Sequence, residues 1–135
     1  MKFRVILSLL AVASSLALAE TPKQILDTYT AQAVTEQASF KASAERGAAF
    51  FSKRFAVSEQ MPACTSCHTD QPANAGKHVV TSKVIQPLSP SANAERLTDP
   101  AKVEKWFRRN CKEVLGRECT APEKADFVAF LTGGR

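Results

Sequence analysis

Apolar residues recur at helical spacing in four stretches of the chain, and between the second and third they lose any period. In residues 20 to 37, Pro22 sits near a start and Ile25, Tyr29 and Val34 recur about a turn apart, which predicts a helix. A second helix is predicted from about Ala42 to Phe55, carrying Gly47, Phe50, Phe51 and Phe55. Its Gly47-x-x-x-Phe51 step suits a close helix crossing, because glycine lets two backbones approach while phenylalanine fills the flank. The third helix opens at Asp99-Pro100, an N-cap followed by proline, with Val103, Trp106, Phe107 and Val114 marking a buried stripe. Thr120-Ala121-Pro122-Glu123 starts the last as a capping box, Phe127, Phe130 and Leu131 share a face, and Gly133-Gly134 ends it. This last helix is the natural crossing partner of the Gly47 helix. Between the Cys64–His68 segment and residue 98, Pro72, Gly76, Pro87, Pro90 and several Ser and Asn residues argue for loop, and no strand pattern or repeat stands out along the chain. The prediction is one all-α domain in which a long loop wraps something.

The first 19 residues change where that domain works. Lys2 and Arg4, an apolar run from Val5 to Leu18, and Ala17-Leu18-Ala19 have the order of a secretory signal peptide. The run is short for the ~20 residues that cross a bilayer, so no stable membrane insertion is expected after cleavage. Residues 20–135 then form a single domain of 116 residues with a modest core. Its formal charge falls from +5 to +3 with Lys2 and Arg4 gone. The basic residues are dispersed, without the clustering that marks a nucleic-acid site, so no nucleic-acid partner is expected. An exported bacterial chain of this kind belongs in the periplasm.

Cys64-Thr65-Ser66-Cys67-His68 carries the chemistry. The spacing is that of a c-type haem attachment site, two thiols for the vinyl groups and a histidine for the iron. A zinc knuckle would need a second closely spaced pair, and Cys111 and Cys119 are too far apart for one. A redox dithiol would need a βαβ setting that the pattern lacks. The leftover Cys111 and Cys119 form either a disulfide, which export favours, or two free thiols. What the chain lacks is a downstream methionine: Met1 and Met61 both precede the first cysteine, so the second axial position is unusual or open. Asn110, His78, Asn93, Lys77 and Lys83 are the candidates for it. His78 lies only ten residues after His68, and Asn93 has a turn setting. Asn110 falls on the stripe of Phe107 and Val114, where an inward amide needs a partner: either the iron, or backbone and water. The carbonyl of the Pro87-Leu88 segment is a source of a hydrogen bond to the His68 Nδ1–H. Arg54, Lys83 and Arg96 are candidates to neutralise haem propionates.

The run Thr98 to Thr120, with Lys102-Val103-Glu104-Lys105-Trp106-Phe107, Arg109-Asn110-Cys111 and Gly116-Arg117-Glu118-Cys119-Thr120, closely resembles the Sphaeroides haem protein family. Ile85-x-Pro87-Leu88-x-Pro90-Ser91 and Ala44-Glu45-Arg46-Gly47 are similar to it as well. The likeness spans most of the exported chain and departs mainly between His68 and Lys83, where His78 lies. It implies a class I cytochrome c-like fold with one covalent haem c, lying between the second and last helices on one side and the long loop and penultimate helix on the other. It also implies His68 and Asn110 as axial ligands, a Cys111–Cys119 disulfide, and a dihaem cytochrome c as electron donor. In that family the asparagine leaves on reduction, so that diatomic gases (O2, NO or CO) bind. The chemistry agrees: a neutral amide oxygen is a hard donor that prefers ferric to ferrous iron. The expected function is periplasmic electron transfer with transient gas binding, and whether the site also turns a substrate over is left open by the sequence. The alternatives are a small haem enzyme acting on oxygen, peroxide or nitric oxide, and a plain six-coordinate shuttle.

Overall fold

The structure, a computed structural model, describes residues 19–133, so residues 1–18 of the expected signal peptide lie outside it. Its elements in order are α1 (Pro22–Glu36), α2 (Ala44–Ser52), α3 (Thr65–His68), β1 (Gly76–Lys77), β2 (Val84–Ile85), α4 (Pro100–Leu115) and α5 (Ala121–Thr132). Each of the longer helices starts where the sequence places an oxygen for its orphan N–H groups. Thr21 accepts from Gln24 in a capping box on α1, and Ser43 accepts from Arg46 on α2. Asp99 accepts from Lys102 on α4, and Thr120 and Glu123 form the box on α5.

The last helix is the hub: α5 packs on both α1 and α2. Where α2 crosses it, a Cβ on Gly47 would overlap the Asp126 carbonyl and lie 2.8 Å from the Phe130 Cβ, so glycine sets the separation of the two helices. Beside this crossing the buried Asp126 carboxylate accepts from Arg46 Nε at 2.7 Å and Nη2 at 2.8 Å, and from the Ser43 backbone N–H at 2.7 Å. Stripping water from a carboxylate costs free energy, and these three donors offset it. A second polar tie joins three helices. Glu104 of α4 accepts from the Tyr29 hydroxyl of α1 at 2.9 Å and from Lys124 Nζ of α5 at 2.8 and 2.9 Å. Between the ties the core holds Ile25, Tyr29, Phe107, Val114, Ala125, Val128 and Leu131.

Several expectations need correcting. α2 stops at Ser52, and the Phe55 N–H donates instead to the Pro62 carbonyl at 2.6 Å, closing a loop rather than extending a helix. Ala33 takes the buried position expected near Val34, which is exposed. Trp106 is no core residue: it is 39% exposed, with Lys105 Nζ and Arg109 Cζ 5.7 and 5.5 Å from its ring. The stripe of α4 runs instead through Phe107, Cys111, Val114 and Leu115. The loop expected to lack strands contains a minimal antiparallel hairpin, with Gly76 opposite Ile85 and Lys77 opposite Val84. Two residues a side are too few to leave a period in the sequence. Among the described residues no helix is long and apolar enough to cross a membrane.

Candidate haem-binding site

The Cys64–His68 segment folds as one helical turn. Cys64 sits in helical conformation at the N-cap, and its carbonyl accepts from the Cys67 and His68 N–H groups at 3.3 and 3.1 Å. The turn is braced from outside, since the Ser66 Oγ accepts from the Ala63 N–H at 3.3 Å, and Thr69 leaves it at φ 60°. Residues three apart lie on one side of such a turn, so the two thiols share a face and the imidazole follows directly. Neither cysteine is in a disulfide, and both are half-buried. Before attachment, burial pushes the Cys64 thiol up to about 11.

Burial, and then the positive charges of Arg96 and His78, pull His68 down to about 4. The ring is therefore neutral at physiological pH, the form that offers a lone pair to a metal. Its nitrogens have no hydrogen-bond partner among the described residues. The only unpartnered side-chain atom sealed from solvent there is Glu20 Oε2, so the imidazole nitrogens stay accessible. An aromatic group walls this side of the imidazole: Phe51 lies 6.5 Å from it by ring centroids, and Phe127 and Phe130 lie 5.9 and 5.5 Å from Phe51. Two thiols on one face, an accessible neutral imidazole and an aromatic wall fit a covalently attached haem. A bare ion has no such fit, because no three His, Cys, Asp or Glu side chains gather among the described residues.

The structure does not use the Pro87 carbonyl as expected. That carbonyl accepts from Arg96 Nε at 2.8 Å, and the Gln86 carbonyl accepts from Arg96 Nη2 at 2.8 Å. Arg96 is thus a clamp on the loop that carries Gln86 and Pro87, and its charge acts on His68. Asn93 has the turn role that its setting suggests, its Oδ1 accepting from the Glu95 N–H at 3.2 Å. His78 holds the hairpin tip, its Nδ1 accepting from the Val80 and Thr81 N–H groups at 3.2 Å each. Arg54, Lys77 and Lys83 are exposed.

Asn110 is half-buried on α4, and its amide also has no partner among the described residues while remaining accessible. Phe107, one turn before it, lies 5.7 Å from Phe127, which touches Phe51 beside His68. The α4 face that carries Asn110 is thereby linked through three rings to the imidazole. At the next residue, Cys111 is bridged to Cys119 with their Cα atoms 5.7 Å apart. Two contributors were not legible beforehand as parts of the site. Phe51 was read only as packing at a crossing, and Gly76 only as a loop residue. A Cβ on Gly76 would overlap the Cys67 carbonyl, so glycine is what lets the hairpin lie on the attachment turn.

The family model for a domain of unknown function, DUF1924, matches residues 37–131. Cytochrome c'' of Methylophilus methylotrophus is 39% identical over 136 residues, covering 97% of this chain and 94% of its own. Its solution structure, which addresses haem-ligand detachment, matches with a TM-score of 0.71 at 38% identity, covering 82% of this chain and 90% of that one. Cytochrome c-type protein SHP of Cereibacter sphaeroides is 43% identical over 127 residues, covering 93% of this chain and 94% of its own. The structure of oxidised SHP, described as an oxygen-binding cytochrome c, matches with a TM-score of 0.76 at 43% identity, over 85% of this chain and 98% of that one.

Proposed function

We propose that this chain, which belongs to the DUF1924 family and to the c-type cytochromes that include cytochrome c'' and SHP, transfers electrons and binds a diatomic gas at a position held by Asn110 only in the oxidised state. The fold is the all-α cytochrome c fold, and the cofactor is one covalently bound haem c. When bound, that haem would supply a one-electron couple and an iron able to take a weak ligand or a gas.

The chain's own residues divide the remaining work. Cys64 and Cys67 would hold the haem through their sulfur atoms, and His68 would offer an imidazole nitrogen to its iron. Arg96 fixes the Gln86 and Pro87 carbonyls of the loop below and keeps positive charge near the imidazole. Phe51, Phe107, Phe127 and Phe130 provide apolar surface and exclude water, which strengthens each remaining electrostatic interaction. The Asn110 amide oxygen is a hard neutral donor that would suit ferric iron better than ferrous iron. The observation that carries this reading is the amide itself, half-buried and without a partner among the described residues, one turn after Phe107, whose ring packs on Phe127. Support comes from the relatives, one described as oxygen-binding and the other studied for detachment of a haem ligand. The reading includes export to the periplasm, binding of nitric oxide as well as oxygen, and reduction by a dihaem cytochrome c.

Asn110→Ala tests it. The variant keeps its covalent haem but shows an altered ferric absorption spectrum. A ferric spectrum identical to that of the parent protein removes Asn110 from the iron.

A further inference from the structure

We propose that the β1–β2 hairpin is the docking surface for an acidic redox protein, through which electrons reach the Cys67 edge of the haem site; this rests on the electron-transfer reading above. Three observations carry it. The first is composition: residues 71–94 include Lys77 and Lys83 but no Asp or Glu, so the segment presents one sign of charge. The second is exposed apolar area. Val79, Val80 and Val84 are 43, 57 and 69% exposed, and they are three of the six exposed large apolar side chains among the described residues. An apolar centre with charged flanks is how a transient protein interface is built, with the charges steering encounter.

The third observation is position. In the paired strands Gly76 and Ile85 face one way, and Lys77 and Val84 face the other. The Gly76 side is pressed on the Cys67 carbonyl, so the Lys77 and Val84 side turns away from the attachment turn, toward solvent. A partner seated there is one strand's thickness from a haem-bearing cysteine. The tip is also held in shape. The His78 N–H donates to the Lys83 carbonyl at 2.9 Å, the Ser82 N–H donates to the His78 carbonyl at 2.8 Å, and His78 Nδ1 accepts from two more N–H groups. Preorganisation of this kind reduces the ordering that docking requires. A second copy of the chain would bring lysines against lysines, and a two-residue-a-side hairpin lacks the length of a membrane-surface anchor.

The test uses the holoprotein in stopped-flow reduction by flavodoxin hydroquinone, an acidic electron-transfer protein, with dithionite as a small-molecule reductant. The second-order rate constant with flavodoxin falls as salt rises. Lys77→Glu with Lys83→Glu lowers it about tenfold at low ionic strength and flattens the salt dependence, in line with loss of steering. Val79→Ser with Val80→Ser and Val84→Ser lowers it about threefold and keeps the salt dependence. Dithionite reduces all of them at the parent rate. Flavodoxin rates unmoved by both sets of changes overturn the docking surface, as does a loss seen instead with Lys105→Glu and Arg108→Glu on α4. Hairpin-dependent sedimentation with phosphatidylglycerol vesicles overturns it in favour of a lipid surface. A holoprotein that dithionite itself cannot reduce overturns the electron-transfer reading beneath it.

Discussion

Replacing Cys111 and Cys119 together by alanine separates two roles of one bond, and the size of the first can be worked out. The bridge spans eight residues in sequence, and both of its cysteines are buried. Closing so short a loop removes ~8 cal/mol/K of chain entropy from the unfolded state, or ~2.5 kcal/mol at 25 °C. Alanine, rather than serine, avoids leaving an unpaired hydroxyl in the core. For a domain of this size the loss lowers the melting midpoint by roughly 10 °C, measurable on the ferric holoprotein by heat or guanidinium. The second role is positional: the bridge anchors the last turn of α4 directly after Asn110, so its removal is expected to change the ferric spectrum and speed carbon monoxide association with the ferrous protein. A variant within about 0.5 kcal/mol of the parent refutes the entropic account. Parent-like ferric spectra and association rates refute the positional one, whatever the stability.

Two further outcomes follow from geometry elsewhere. Gly47→Ala gains about 1 kcal/mol of helix propensity, but its methyl group has to displace the Asp126 carbonyl or Phe130. A net loss of about 2 kcal/mol is expected in denaturant titration, and a midpoint at or above the parent's contradicts the crossing. Burial pushes the Glu123 carboxyl up, but the hydrogen bonds from Arg117 and Thr120 outweigh this and hold it below its usual 4.5. Its stabilisation is therefore present at neutral pH and is lost as pH falls through that lowered value. Because the pair is partly exposed, Glu123→Gln costs no more than about 1 kcal/mol at pH 7. The gap between variant and parent closes well below pH 4.5 in acid titration of stability; a gap that persists unchanged there contradicts the ion-pair account.

How far the chain could be read depended on whether a signal was local. Caps are local, so Asp99 and Thr120 marked two helix starts from sequence alone, Pro22 lay near a third whose cap Thr21 the structure supplied, and Gly47 foretold the crossing on α5. The pentapeptide from Cys64 to His68 likewise needs only one turn to present its groups. Burial depends on what packs from elsewhere, which is why Trp106 was misplaced: it lies one position off the face that meets α1 and α5, and two cations cover it instead. The Arg96 clamp on Gln86 and Pro87 joins residues nine and ten apart in a loop with no periodicity, so nothing short of the fold revealed it. The hairpin is shorter than any pattern could register. Asn110 came into view through its odd place on an apolar stripe, a clue that the resemblance to relatives sharpened; in the fold its amide is half-buried and has no partner among the described residues.

Absorption spectra of the holoprotein in both oxidation states, each recorded with and without carbon monoxide, bear most directly on the account. It predicts that reduction produces a high-spin ferrous spectrum and that carbon monoxide then binds, while the ferric form does not respond. A low-spin spectrum in both states, unmoved by the gas, would mean a second strong ligand that never leaves, and would contradict an asparagine that yields its place on reduction.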